Sequence, residues 1–412
     1  MNTIKETDVC IIGAGPAGAT AALQLHQYNI PCIVVDKAVF PRDKVCGDGL
    51  SGKVLAILNS IDPAIGERLV ALQDKEDSWG VTFIASNRAS LDISYKPVND
   101  GAAGFVCKRM VFDNFLVDEM KRCGNIELIE GTGIDKYTLQ QDGYLLSNAS
   151  GSLQIKAKLI IVANGAHSSF TKDVAGIQLE PKHYCAGLRA YYKNIKGLHP
   201  KGYIELHFLK SLLPGYFWIF PLPNGEANVG VGILSEVVRK KKLNLRKMLQ
   251  DTLENDPVLK ERFKDAVLID KIDGYGLPLG SKKRTLSGER FMLIGDAGHL
   301  IDPFTGEGIG NALYSGRFAA EQVKRAIAAN DFSATQLKAY DETVHRKLGT
   351  ELKLSARLQK LVHRPWLFNY LMKLGMGNKQ LRELMSCMFY ELDLRKKLAK
   401  PSFYVKLLFN RA

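Results

Sequence analysis

Gly13, Gly15 and Gly18 follow the apolar run Val9-Cys10-Ile11-Ile12 at Gly-x-Gly-x-x-Gly spacing. In that pattern the first glycine makes a tight turn. The second lets the backbone approach a pyrophosphate, and the third lets helix and strand pack closely. Pro16 and Ala17 open the helix, whose free N–H groups and dipole suit phosphate. Asp36 stands 18 residues beyond Gly18, where an acid can accept hydrogen bonds from a ribose. An acid there disfavours a 2′-phosphate, so the bound dinucleotide is not expected to be NADP. Lys37, beside it, is grouped with the cofactor-binding candidates. Near residue 300 a second strand, Phe291–Ile294, runs into Gly295-Asp296. Pro303, Gly306, Gly308 and Ile309 then lead into a helix. Asp296 suits a sugar-like ribityl chain, and the helix start suits the negative charge of a reduced flavin. The two regions together point to one FAD.

The elements that must position these residues follow from periodicity. Residues 8–12 and 32–36 read as parallel strands around a helix from about Ala17 to Tyr28. Helices are expected at Gly52–Ser60 and Val111–Arg122, the latter after Phe105–Cys107. Strands are expected at Ile126–Ile129, Tyr144–Asn148 and Leu159–Ala163. From His183 to Leu234 the pattern alternates, as in Tyr203–Phe208, which suggests an antiparallel sheet. A helix from about Ile309 to Ala328 returns to the cofactor unit. The expected fold class is α/β, a discontinuous Rossmann-like FAD-binding domain (residues 1–75, 103–170 and 284–340). Inserted in it is an antiparallel β-sheet substrate domain (76–102 and 171–283), and a basic helical C-terminal region follows (341–412).

Tyr216, Trp218 and Phe220 are two apart, so they face one side of a strand. Asn224-Gly225 suits a two-residue hairpin turn, which would pair Trp218 with Val231 and Phe220 with Val229. Gly230 and Gly232 then fall on the opposite face unless a bulge shifts the register. The aromatic wall suits a prenyl chain or an aromatic ring, or is an ordinary sheet core. Cys46 lies in a polar, glycine-flanked turn, unusual for a core cysteine.

The 412 residues imply two or three units. No apolar run approaches the roughly 20 residues of a spanning helix, and the N-terminus does not read as a signal peptide. Seven cysteines with no Cys-x-x-Cys pair or His/Cys cluster fit reduced thiols in a cytoplasmic protein without a metal. The net charge is +13, and most of the excess lies after residue 344, where 15 Lys and Arg face 4 Asp and Glu. That tail reads first as a solvated helical face packed on the body. The alternative is contact with an anionic membrane surface, peripheral at its inner face. No nucleic-acid fold accompanies it.

Arg42-Asp43-Lys44-Val45-Cys46-Gly47-Asp48-Gly49 resembles the segment after the second strand in the geranylgeranyl reductase family, within the larger p-hydroxybenzoate-hydroxylase-like group. Tyr216-x-Trp218-x-Phe220-Pro221, then Gly230-x-Gly232, is similar to that family's substrate-cavity pattern. Arg109, with Phe112-Asp113 after it, resembles the family's arginine beside the flavin. The resemblance implies FAD bound also by Arg42, Cys46, Gly47 and Arg109, and reduction of carbon–carbon double bonds of an isoprenoid or related lipid. It places Cys46 near the flavin ring, where it would influence the alkene's position or protonation. Cys46 and Tyr216 are the catalytic candidates, with water as a third proton source. Asn164-Gly165 departs from the Asp-Gly of many relatives. No nicotinamide domain is visible, so the reductant is a transient NAD(P)H or an electron-carrier protein.

Two other readings use the same scaffold. A monooxygenase or halogenase would act on an aromatic or apolar substrate. The halogenase Trp-x-Trp-x-Ile-Pro signature differs from Tyr216-x-Trp218-x-Phe220-Pro221 at two of four fixed residues. A prenyl-protein carrier would need no flavin chemistry, and intact Asp36 and Asp296 argue against it.

Overall fold

The structure is a computed structural model that describes residues 4–95, 101–378 and 382. Along the chain, β1 (Lys5–Ile12), α1 (Pro16–Gln27) and β2 (Cys32–Val35) form the first unit, and α2 (Gly52–Ile61) follows the 37–48 loop. Next come β3 (Gly80–Ile84), β4 (Ser90–Ser94), α3 (Arg109–Lys121), β5 (Ile126–Ile129) and β6 (Gln154–Val162). The aromatic region holds β7 (Tyr184–Lys193), β8 (Ile204–His207), β9 (Tyr216–Leu222) and β10 (Glu226–Leu234), followed by β11 (Asp273–Pro278) and β12 (Phe291–Leu293). Four helices close the described chain: α4 (Ile309–Ala329), α5 (Ala334–Lys347), α6 (Gly349–Val362) and α7 (Pro365–Gly377). The part of the expected basic region beyond residue 382 lies outside the described residues.

One sheet has the parallel core β12-β6-β1-β2-β5, with an antiparallel hairpin (Lys136–Gln140 and Gly143–Ser147) on β6. Its central strands read as continuous apolar runs because helices and the hairpin cover them. Val9, Cys10, Ile11 and Leu159–Val162 are all fully buried. Helix α1 packs against α4 through small residues. A Cβ on Gly316 would overlap the Ala17 carbonyl oxygen, so glycine there sets how closely the helices approach.

The second sheet runs β7-β10-β9-β8-β3-β4, with β11 also on β7. It is antiparallel except at β8–β3, where Ile204 pairs with Val81 in parallel. This corrects the expectation of a purely antiparallel sheet. Helices at Ser235–Lys241, Leu245–Asn255 and Pro257–Phe263 fall within the expected β-rich stretch and supply Leu249 and Leu259 to the core behind β9 and β10.

The hairpin register also differs from expectation. Leu222 pairs with Glu226, Phe220 with Asn228, Trp218 with Gly230 and Tyr216 with Gly232. The loop is therefore three residues, Pro223–Gly225, not two. Pro223 has no N–H to give to a ladder pair with Glu226, so it joins the turn and the register moves by one. A one-residue slip exchanges faces, and Gly230 and Gly232 now share the face of the aromatics. A Cβ on Gly230 would overlap both the Leu188 carbonyl oxygen and the Trp218 ring. The missing side chain is where the indole lies.

Candidate active site

A cavity of about 670 Å³ separates the two sheets, within the range of small-molecule and cofactor sites. At one end the turn after β1 brings Gly13, Gly15, Pro16 and Ala17 to its wall. Gly13 has φ +108°, and a Cβ on it would lie 2.5 Å from the Ala163 carbonyl oxygen, so only glycine serves there. A Cβ on Gly15 would meet only the Arg42 guanidinium, at 3.7 Å. That open edge, at the start of α1, fits a diphosphate. Asp36 accepts hydrogen bonds from the Ala14 N–H (2.7 Å) and the Ala38 N–H (2.8 Å), which leaves lone pairs for a ribose. Lys37 lines the wall beside it. Gly18 is not in the cavity; it packs under the Gly13 carbonyl.

The 42–49 loop and α3 form the second wall. Asp113 is fully buried between Arg109, which donates to it at 2.6 and 2.7 Å, and Arg42, whose Nη1 lies 2.6 Å away. Burial alone would raise the Asp113 carboxyl, but Arg109 and Arg42 outweigh it and hold it below the usual range. The charge of the Arg109 guanidinium also acts on the Cys46 thiol. Burial pushes that thiol up, and Arg109 pulls against the rise, so Cys46 remains protonated rather than a thiolate. Cys46 and Gly47 both line the cavity.

The third wall is the turn before α4. Asp296, Gly306, Gly308 and Ile309 line it. Asp296 pairs with Lys44 across the cavity at 3.1 Å, so a ribityl chain would exchange this contact for its own hydroxyls. Gly295 packs behind, against Ala17 and Ala312. His299, fully folded into the interior at φ +54°, lines neither cavity.

A smaller cavity of about 100 Å³ adjoins the first, and Gly47, Phe220, Leu277, Thr305 and Gly306 line both. Tyr216, Trp218, Gly232 and Pro303 belong to the smaller one. Gly230 lies behind Trp218, and Pro221 belongs by alternation to the other face with Phe217 and Ile219 and lines neither cavity. The Tyr216 hydroxyl donates to the Thr305 carbonyl at 2.6 Å, and burial pushes its phenol well up.

Sequence reasoning gave no role to a buried network beneath Cys46 and Gly47. Asp48 is fully buried at φ +65°. Its Oδ2 accepts from the Tyr191 hydroxyl (2.6 Å) and from Asn228 Nδ2 (2.8 Å). Asn228 Nδ2 also donates to the Cys46 carbonyl (2.7 Å), and Asn228 Oδ1 accepts from the Trp218 indole N–H (2.9 Å). The network ties the cysteine loop to the aromatic strand. Its sequence signal was a lone Asn within the apolar run of β10.

A second buried set joins the cavity to the C-terminal helices. Lys53 on α2 is fully buried, donates to Glu351 on α6, and lies 3.3 Å from Asn311 Oδ1 on α4. Glu307, in the cavity wall, accepts from the Gly310 N–H at 2.6 Å. Burial raises both carboxyls, Glu351 to about 7, while Lys53 opposes the rise.

A model of the FAD binding domain matches residues 6–192, and one of the geranylgeranyl reductase catalytic domain matches residues 184–274. The digeranylgeranylglycerophospholipid reductase of Thermoplasma volcanium is 30% identical over 343 residues, 82% of this chain and 83% of that protein. The chain belongs to the geranylgeranyl reductase family. It is an FAD-dependent oxidoreductase, and the diphosphate cradle and acid pair described above fit that cofactor. A menaquinone reductase of Mycolicibacterium smegmatis is 32% identical, over 78% of this chain and 76% of that one. A geranylgeranyl bacteriochlorophyll reductase-like protein of Thermoplasma acidophilum shares the fold, with TM-score 0.79 and 22% identity over 96% of this chain and 99% of that one. Flavin-dependent halogenases share it too. Family membership decides between these chemistries in favour of a reductase. Among the described residues no helix is long and apolar enough to cross a membrane.

Proposed function

We propose that this family member saturates carbon–carbon double bonds in the isoprenoid chain of a lipid. The observation that carries the reading is the pair of joined cavities. One presents the glycine turn, Asp36 and Asp296 and is suited to FAD, the other is walled by Tyr216, Trp218 and Phe208, and they meet at Gly47, Phe220 and Gly306. When bound, reduced FAD supplies the hydride equivalent for one alkene carbon, and the other carbon takes a proton. Gly13, Gly15 and Pro16 with Ala17, Asp36 and Asp296 hold the cofactor. Arg42 and Arg109, fixed on Asp113, place Cys46 at its wall.

Tyr216 is a positioning residue in this reading. Its proton is engaged by the Thr305 carbonyl, so it fixes the loop before α4 against the aromatic strand. Cys46, protonated and next to the shared wall, contacts the alkene and orients it. The aromatic wall excludes water from the reacting carbons. The reductant is a transient NAD(P)H or an electron-carrier protein. The free thiols Cys10 and Cys32 suit the cytoplasm, and a lipid substrate suits an enzyme working at the inner face of a membrane.

Extraction of small molecules from purified protein tests the reading. FAD with an isoprenoid lipid is expected, and turnover should add two hydrogens to it without oxygen. A product carrying oxygen or halogen would replace this reading with the monooxygenase or halogenase one.

A further inference from the structure

The helices α6 and α7 lie beside the smaller cavity. Gln359 lines it and donates to the Pro303 carbonyl at 2.6 Å. Phe368 and Met372, one turn apart on α7, are buried, and Phe368 packs on Phe208 with ring centroids 4.7 Å apart. The inner face of α7 therefore completes the aromatic cluster at the cavity. Its outer face is different. Trp366, Tyr370 and Leu374 recur every four residues and are 68%, 55% and 41% exposed. Residues four apart on a helix share one face, so these side chains make an apolar stripe that faces outward.

The charge on α7, and on α6 after Glu351, has one sign. Residues 352–378 contain no Asp or Glu. Lys353, Arg357, Lys360 and Arg364 stand at spacings of four, three and four, and all are exposed, as is Lys373. A basic face next to Trp, Tyr and Leu matches the chemistry of the boundary between anionic headgroups and acyl chains. Aromatic residues with a polar tip settle at that depth.

We propose that α6 and α7 form a docking face for an anionic lipid bilayer, with the outer stripe of α7 seated among the acyl chains. The inner face of the same helix packs through Phe368 on Phe208, which lines the smaller cavity, so docking brings a membrane-embedded prenyl chain toward the site. The substrate's route into the cavity rests on the reading above; the docking face itself does not.

The test uses the full-length FAD-loaded protein and sedimentation with vesicles, either neutral phosphatidylcholine or phosphatidylcholine with phosphatidylglycerol. Binding is expected to the anionic vesicles, to weaken with salt and to be weaker on neutral ones. W366S/Y370S should bind them at least about tenfold more weakly, since two large apolar side chains leave the interface. K353Q/R357Q/K360Q should lose affinity on anionic vesicles only. FAD content reports whether each variant has folded. Tryptophan emission should shift to the blue on binding, and the shift should vanish in W366F. Equal binding of W366S/Y370S and the parent overturns the proposal. So does a concentration-dependent dimer that W366S/Y370S abolishes while the parent ignores vesicles; the stripe is then an interface between two copies. A parent protein that ignores anionic vesicles yet reduces a detergent-dispersed prenyl lipid refutes the docking face alone. Intact docking without reduction refutes the substrate reading alone.

Discussion

Replacing Asp48 with asparagine should make the protein more stable at neutral pH and remove part of its pH dependence. Asp48 is fully buried, and burial pushes its carboxyl up to about 6 from an ordinary 3.8, although Tyr191, Asn228, Arg189 and Arg109 all pull it down. A gap of about 2 pH units corresponds to about 3 kcal/mol. The sign follows from the raised folded value. The contribution to stability is fully present below the unfolded value and is lost as pH rises through about 6, because the folded protein must then hold the buried anion. Asparagine has the shape of the neutral acid, keeps an oxygen to accept from Tyr191 and Asn228, and tolerates positive φ. Neither the neutral acid nor the amide finds an acceptor at the Oδ1 position, which has no partner among the described residues. Urea unfolding of both proteins across pH should therefore give curves that nearly meet at about pH 4 and separate by about 3 kcal/mol by about pH 8, with D48N the more stable. Curves that stay parallel would refute the buried-anion argument. Separation in the opposite direction would mean that the cations around Asp48 overcompensate its burial.

Three further outcomes follow from the same geometry. Gly230→Ala should displace the Trp218 indole from its bond to Asn228, costing about 1–3 kcal/mol and shifting tryptophan emission, both readable in one unfolding series. Lys53→Met should cost about 3–5 kcal/mol in thermal or urea unfolding, because Glu351 and Glu307 lose a shared buried cation; adding Glu351→Leu should restore part of it, and an unchanged midpoint in the single variant contradicts the pairing. Asp296→Ala should weaken FAD binding by roughly 10- to 100-fold, the value of one or two hydrogen bonds to a charged group, measured by flavin fluorescence on titration of apoprotein; unaltered affinity removes Asp296 from the ribityl site.

The parts legible in the sequence were those whose signal is local. The glycine turn, Asp36 and the 295–309 segment each lie on one strand-to-helix connection, and the structure brings all three to one cavity. The aromatic alternation of β9 was legible for the same reason. Its register was not, since it turned on the missing N–H of Pro223 more than on the positive φ that Asn224 and Gly225 both adopt. The Lys53–Glu351 pair joins residues 298 apart, and nothing near either residue marks it as buried. Asn228 was visible as a polar residue in an apolar run, but its partner Asp48 sits in a loop where acids are ordinarily solvated. Likewise the parallel β3–β8 pair carries no local mark that separates it from a hairpin.

The most direct measurement is an anaerobic single turnover. The FAD-loaded enzyme is reduced chemically, freed of excess reductant and mixed with a geranylgeranyl-bearing lipid in the absence of oxygen. The absorbance of oxidised flavin should return, with one double bond saturated for each flavin reoxidised. A flavin that stays reduced until air is admitted, with the lipid unchanged, would contradict alkene reduction as the activity of this site.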